Sequence, residues 1–107
     1  MGRRKLFQVE GDSMLPSLQP RQRLLVKPLA LQAEAPSDGS VVVCRHPGDA
    51  NLVITKRVWR SQGQLLELRG DNPEASTDSR HFGQVPLKCV IGVVTAVIPS
   101  TGGRSGR

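Results

Sequence analysis

Aromatic residues are nearly missing from this chain: Phe7, Trp59 and Phe82 are the whole supply in 107 residues, and tyrosine is absent. Proteins that grip single-stranded nucleic acid stack successive bases on aromatic rings. The shortage therefore counts against a nucleic-acid partner, although the formal charge is +6. The position of that charge counts against it too. Arg3, Arg4 and Lys5 precede the first apolar residues, and Arg104 and Arg107 sit in the tail, which leaves 10 basic against 9 acidic residues between Leu6 and Ile98. The body of the chain is nearly neutral, with basic ends.

Cysteine is almost as scarce. Cys44 and Cys89 form no disulfide framework, and no CxxC or Cys/His cluster suggests a metal or other cofactor. They read as small buried hydrophobes in a reducing compartment, a single bridge between them being the alternative. Long apolar runs are missing: the longest, Val90 to Ile98, is interrupted by Gly92 and Thr95, far short of the roughly 18 apolar residues of a membrane span. The basic N-terminus is followed by no apolar stretch, so no signal peptide is expected. The expectation is a soluble, cytoplasmic protein without a membrane anchor.

The length fits one small domain, over residues 1–98, with a basic arm at 1–5 and a disordered tail at 99–107. Helical periodicity is also lacking. Eleven Gly and eight Pro punctuate short runs rich in Val, Ile and Leu: Leu6 to Val9, Leu24 to Val26, Val41 to Cys44, Leu52 to Trp59, Leu65 to Leu68 and Lys88 to Ile98. Six such strands predict an all-β, mainly antiparallel fold, a sandwich or partly open barrel with at most one or two short helices. A helical turn is expected at Met14 to Leu18, where Asp12 or Ser13 can cap and Pro16 suits the first turn. Pro28 to Ser40 reads as an exposed connection with room for a short helix, closed by the turn signal Pro36-Ser37-Asp38-Gly39.

Three polar clusters interrupt the strands. In Gly11-Asp12-Ser13-Met14-Leu15-Pro16-Ser17-Leu18, Ser13 sits where a strand runs into a turn. It either caps that turn or presents an exposed hydroxyl beside backbone N–H groups able to face an oxyanion. In Leu52 to Trp59, alternation puts Lys56 on the face of Leu52, Ile54 and Val58. A buried lysine is driven towards its neutral form and can then act as a general base, whereas a snorkelling one keeps its head in water. The third cluster, Gly70-Asp71-Asn72-Pro73-Glu74-Ala75-Ser76-Thr77-Asp78-Ser79-Arg80, is long for a loop in so small a domain. By itself it reads as a turn whose polar side chains bond local backbone, with Asp78 and Arg80 a surface ion pair of little energetic weight.

In order and spacing the three clusters resemble the catalytic domain of the signal peptidase I family. GDSMLPSL resembles the nucleophile segment, TKRV the segment carrying the lysine base, and GDNPEASTDSR the third signature, over a span of about Val9 to Val94. The resemblance implies a β-rich fold of the signal peptidase/LexA kind and a Ser–Lys dyad that hydrolyses a peptide bond. Ser13 would be the nucleophile and a backbone oxyanion donor, Lys56 the base, and Ser76 the hydroxyl that orients the lysine. Gly11, Asp12, Met14, Ile54 and Thr55 would line or edge the substrate cleft. Asp71, Asn72, Asp78 and Arg80 would hold the loop.

The departures are also informative. Twelve residues precede Ser13 in this sequence, so no counterpart of the membrane anchor of signal peptidases is expected. Their large insertion before the third signature shrinks to a compact hairpin between Val58 and Leu68. The usual Pro-Gly-Asp reads Pro20-Arg21-Gln22, so that turn must be remade. Gly11 offers no side-chain oxyanion donor. Among small anchorless relatives, the chain resembles the maturation proteases of nickel-type superoxide dismutase. That resemblance implies a protein precursor as partner, losing an N-terminal extension, and a peptidase that needs no metal. The alternatives are a LexA-like self-cleaving regulator, with Ala30 to Ala35 as an exposed target, an inactive member of the fold, and a non-catalytic basic β-barrel for nucleic acid.

Overall fold

The computed structural model describes residues 3–29 and 34–99. They build one antiparallel sheet of seven strands: β1 (Lys5–Gln8), β2 (Arg23–Pro28), β3 (Val41–His46), β4 (Asp49–Gln62), β5 (Leu65–Arg69), β6 (Val85–Pro86) and β7 (Val90–Ile98). Their spatial order is β1-β2-β7-β3-β4-β5-β6, so the last strand returns between β2 and β3. The one α-helix among the described residues, α1 (Ser79–Phe82), is a single turn, and 3₁₀ turns occupy Pro73–Ala75 and Leu87–Cys89. The all-β class is as expected, realised as an open sheet. All six expected strands are present; β6 is the addition, two residues long and containing a proline, too short to carry any alternation.

Continuous apolar runs belong to strands covered on both faces. Val42 and Cys44 enter one core cluster with Val58, Leu66, Leu68 and Val85. Val43, pointing the other way, enters a second with Val9, Met14, Leu18, Leu24 and Val26. Leu24, Leu66 and Leu68 are fully buried, and truncating any of them to Ala costs about 2–5 kcal/mol. Register shifts at Leu25/Val26, Val43/Cys44 and Val58/Arg60 bend the strands.

Three local expectations meet different outcomes. Met14 to Leu18 makes one turn, closed by the Leu18 N–H donating to the Met14 carbonyl at 2.9 Å, but no helix. The Ser13 carbonyl, which could have begun a helical ladder, instead accepts from the Asn72 N–H at 2.8 Å. Also, the Leu15–Pro16 peptide is cis. The remade turn at Pro20-Arg21-Gln22 places Arg21 in the left-handed region, φ 72°, with its N–H on the Val9 carbonyl. The compact hairpin between Val58 and Leu68 is present, with Gly63 at φ 62° in its turn.

In the connection from Pro28, residues 34–40 hold no helix, and Ser40 N–H bonds Ser37 O across the expected turn. Residues 1–2, 30–33 and 100–107 lie outside the described residues, and with them most of the Ala30 to Ala35 stretch and nearly all of the expected tail. Among the described residues no helix is long and apolar enough to cross a membrane.

Candidate active site

The alternation of β4 decides where Lys56 goes. Lys56 pairs with Val42, and both neighbours on its face, Ile54 and Val58, pack in the first core cluster. The side chain keeps 4% of its exposure, so it does not snorkel. Burial pushes its pKa down from the ordinary lysine value, opposed chiefly by the charge of Asp78 and assisted by Arg80. The balance shifts the group towards the neutral amine. Cys44, fully buried two residues along β3 from Val42, is a free thiol whose pKa burial pushes up to about 12. Cys89 is also unbridged.

The loop after β5 delivers Ser76 to that amine. Lys56 Nζ donates to Ser76 Oγ at 3.1 Å, and Ser76 Oγ donates to Asp78 Oδ2 at 3.0 Å. A hydroxyl has one proton. With that proton committed to Asp78, Ser76 is an acceptor towards the lysine, which must turn an N–H and not its lone pair to the serine. The lone pair of the neutral amine is thereby left for another partner.

Asp78 is not a surface residue, and its pair with Arg80 is not the weak surface contact read from the sequence. The carboxylate is fully buried. Burial alone would raise its pKa, yet donors overcome it and hold the group well below the usual carboxylate range. Arg80 Nη2 and Nε donate at 2.6 and 2.9 Å, and the N–H groups of Gly70 and Arg80 at 3.0 and 3.1 Å, alongside Ser76. The same carboxylate caps α1, with His81 closing the capping box. Buried charge is tolerated where every lone pair is met.

The loop also grips the segment that carries Ser13. The Asn72 N–H bonds the Ser13 carbonyl, and Asn72 Nδ2 donates to the Asp12 carbonyl at 3.1 Å. Gly70 lies so close that a Cβ there would fall 2.7 Å from the Ser13 carbonyl oxygen, and nearer still to Ser76 Oγ. Below it, Arg57 donates to both carboxylate oxygens of Asp71, at 2.9 and 2.7 Å, and Ser17 Oγ donates to Asp71 Oδ2 at 2.5 Å. The Arg57 bonds, helped by Ser17, hold Asp71 below the usual carboxylate range against its partial burial. Thus Arg57, Ser17 and Gly70 support the site although the sequence singled out none of them for that role. Their only sequence signal was that each lies inside one of the three quoted motifs.

A cavity of about 590 Å³ opens over these groups, lined by Ser13 and Lys56 together with Ile54 and Thr55 of β4. Phe7, Gln8 and Glu10, His46 and Thr77 line it as well. These last five come from three separate segments, and of them only Thr77 lies within a motif. Gly11 and Asp12 are exposed beside Ser13 and are not lining residues. Met14 points the other way: it is 1% exposed and belongs to the second core cluster rather than to the cavity wall. No group of three or more His, Cys, Asp or Glu able to hold a metal occurs among the described residues.

Residues 4–71 match the family described as signal peptidase, peptidase S26. Two relatives from Arabidopsis thaliana are the mitochondrial ATP-independent inner membrane protease subunits 1a and 1b, 33% and 30% identical over 78% of this chain. The chain spans 64% and 63% of the length of those relatives. The family match takes in Ser13, Lys56 and Gly70 and stops before Ser76 and Asp78, so the latter half of the third signature stands on its own motif and geometry. With an all-β frame, a buried lysine and a serine on one cavity, and this match over most of its described length, the chain belongs to the peptidase S26 signal peptidase family.

Proposed function

We propose that the chain is a serine endopeptidase in which Ser13 attacks a peptide carbonyl and Lys56 is the general base. The observation that carries this reading is the buried amine of Lys56, bonded to Ser76 and sharing its cavity with Ser13. Neutral Lys56 takes the Ser13 proton as Oγ bonds the carbonyl carbon, and the resulting ammonium returns a proton to the leaving amine. A water, deprotonated by the same amine, then hydrolyses the acyl-enzyme and restores the free serine. The Ser13 N–H is the backbone donor to the oxyanion.

The substrate is a protein precursor that threads an extended segment along the cavity. Beyond the Arg57–Gln62 pairing with β5, the Ile54–Thr55 stretch of β4 has no strand on that edge among the described residues and is able to add one. The resemblance of the motif set to small anchorless members favours nickel superoxide dismutase precursor as that substrate, in the cytoplasm, with removal of its N-terminal extension. The peptidase itself needs no cofactor in this mechanism.

Incubation of the chain with that precursor, followed by intact-mass spectrometry, tests both levels. The expected result is one cut that frees the mature N-terminus, lost in Ser13→Ala, Lys56→Ala and Lys56→Arg, since a guanidinium stays charged and cannot accept the proton. Full cleavage by any of the three sinks the dyad. An uncut precursor alongside cleavage of an Ala-rich reference peptide rejects only the substrate. Fragments of the peptidase itself, absent with Ser13→Ala, would instead point to self-cleavage.

A further inference from the structure

Strand β4 has a second face, and it carries a second cleft. Lys56 turns towards the cavity above, while Arg57 and Trp59 turn the opposite way into a cleft of about 440 Å³ that shares no lining residue with it. Arg69, Asp71 and Arg80 complete its polar wall. The chain's one tryptophan lies here, 54% exposed, with the Arg69 guanidinium 4.3 Å from its ring centre.

The three guanidiniums differ in what they have left to give. Arg57 uses all three of its nitrogens, Nε and Nη2 on Asp71 and Nη1 on the Gly39 carbonyl. Arg80 spends Nε and Nη2 on Asp78. Among the described residues Arg69 has only a 3.4 Å contact from Nη2 to Glu67, and its buried Nε has no partner. A buried donor without an acceptor is costly and uncommon. Within the same cleft Asp71 shows what satisfies such a wall: a carboxylate held through both oxygens by a guanidinium, with a serine hydroxyl added.

We infer that this cleft is a docking site for a carboxylate of an acidic peptide segment, held by Arg69 on its Trp59 platform with Arg80 beside it. Arg57 is matched by Asp71 and Arg80 by Asp78 at 2.7 and 2.6 Å, so Arg69, with only its 3.4 Å contact to Glu67, is the guanidinium with most left to offer an incoming anion. A single exposed ring favours one peptide side chain over a strand of stacked bases. Binding here requires neither Ser13 nor Lys56, although Arg80 and Gly70 in its wall also hold Asp78.

Trp59 is its own reporter. The chain is titrated at low ionic strength with a blocked Glu-containing peptide, its Gln counterpart and an oligothymidylate, following tryptophan fluorescence. The expected result is a saturable change with the Glu peptide and at least about ten-fold weaker binding of the Gln peptide, the range of lost charge-assisted bonds. Arg69→Met should weaken the Glu peptide similarly. Arg69→Lys, which keeps the charge and guards against a folding defect, should still weaken it several-fold for want of the planar fork. Equal binding of the Gln peptide, or undiminished binding to both variants, overturns the site. Tighter binding of the oligothymidylate than of the Glu peptide overturns the peptide assignment.

Discussion

Ser76 Oγ stands between two groups of opposite demand, 3.1 Å from Lys56 Nζ and 3.0 Å from Asp78 Oδ2. The carboxylate takes its proton, so Ser76 serves Lys56 only as an acceptor, and the orientation of the amine is fixed by a residue that does not touch it. Ser76→Ala removes that acceptor and strips one donor from a buried carboxylate. The expected loss is about 10- to 100-fold in kcat with little change in KM, the size of one lost hydrogen bond to a reacting group. A loss confined to KM in steady-state assays would refute the positioning role.

Activity should rise with pH along a limb set by Lys56, because only the neutral amine accepts a proton. Burial places that limb below the ordinary lysine value of about 10.4. The charge of Asp78 opposes the shift, so Asp78→Asn should move the limb to lower pH even as it lowers the rate. A pH profile of kcat/KM for the two proteins reads this directly, and a shift to higher pH contradicts the electrostatic account.

Lys56 should also cost stability. Its folded pKa lies below its unfolded one, so the unfolded chain binds more protons between the two values, and stability rises with pH through that window. At neutral pH the cost is present. Lys56→Met keeps the volume and removes the desolvated amine, so it should raise Tm by a few degrees, about 1 kcal/mol for a domain of this size. Thermal melts at pH 7 and pH 10 check this: the gain should shrink at the higher pH.

Asp78 carries the opposite sign. Its folded pKa is depressed, so its contribution is complete above the ordinary carboxylate value of about 4 and is lost as pH falls towards the folded value. Acid unfolding followed by circular dichroism should therefore be steep below about pH 4 in the native chain and shallower in Asp78→Asn, which starts less stable.

Two backbone positions offer contrasting substitutions. Gly70→Ala drives a Cβ into the Ser13 carbonyl and Ser76 Oγ, so it should destabilise by about 1–3 kcal/mol and cut activity more than ten-fold. Arg21→Gly relieves a left-handed arginine. The left-handed cost of about 1–2 kcal/mol exceeds the added freedom of glycine in the unfolded chain, so denaturant unfolding should show a gain of up to about 1 kcal/mol. Activity should not change, since Arg21 lies outside both clefts.

The strands were legible because each is a short apolar run between turn residues, and Lys56 was legible because a two-residue period puts it among aliphatic neighbours. Motif spacing named Ser13, Ser76 and the Gly70–Arg80 loop. Spacing could not reveal that Met14 turns into the core, that Asp78 is buried, or that Glu10, His46 and Thr77 share a cavity with Ser13. These depend on which segments the sheet order brings side by side, and β7 inserting between β2 and β3 is a long-range event with no local signature. The scarcity of aromatics and the near-neutral body counted against a nucleic-acid surface built from stacked bases. Only the tertiary structure gathered Trp59, Arg69 and Arg80 into one cleft. Strand alternation sets the face of each side chain, but the pairing of distant strands decides which faces meet.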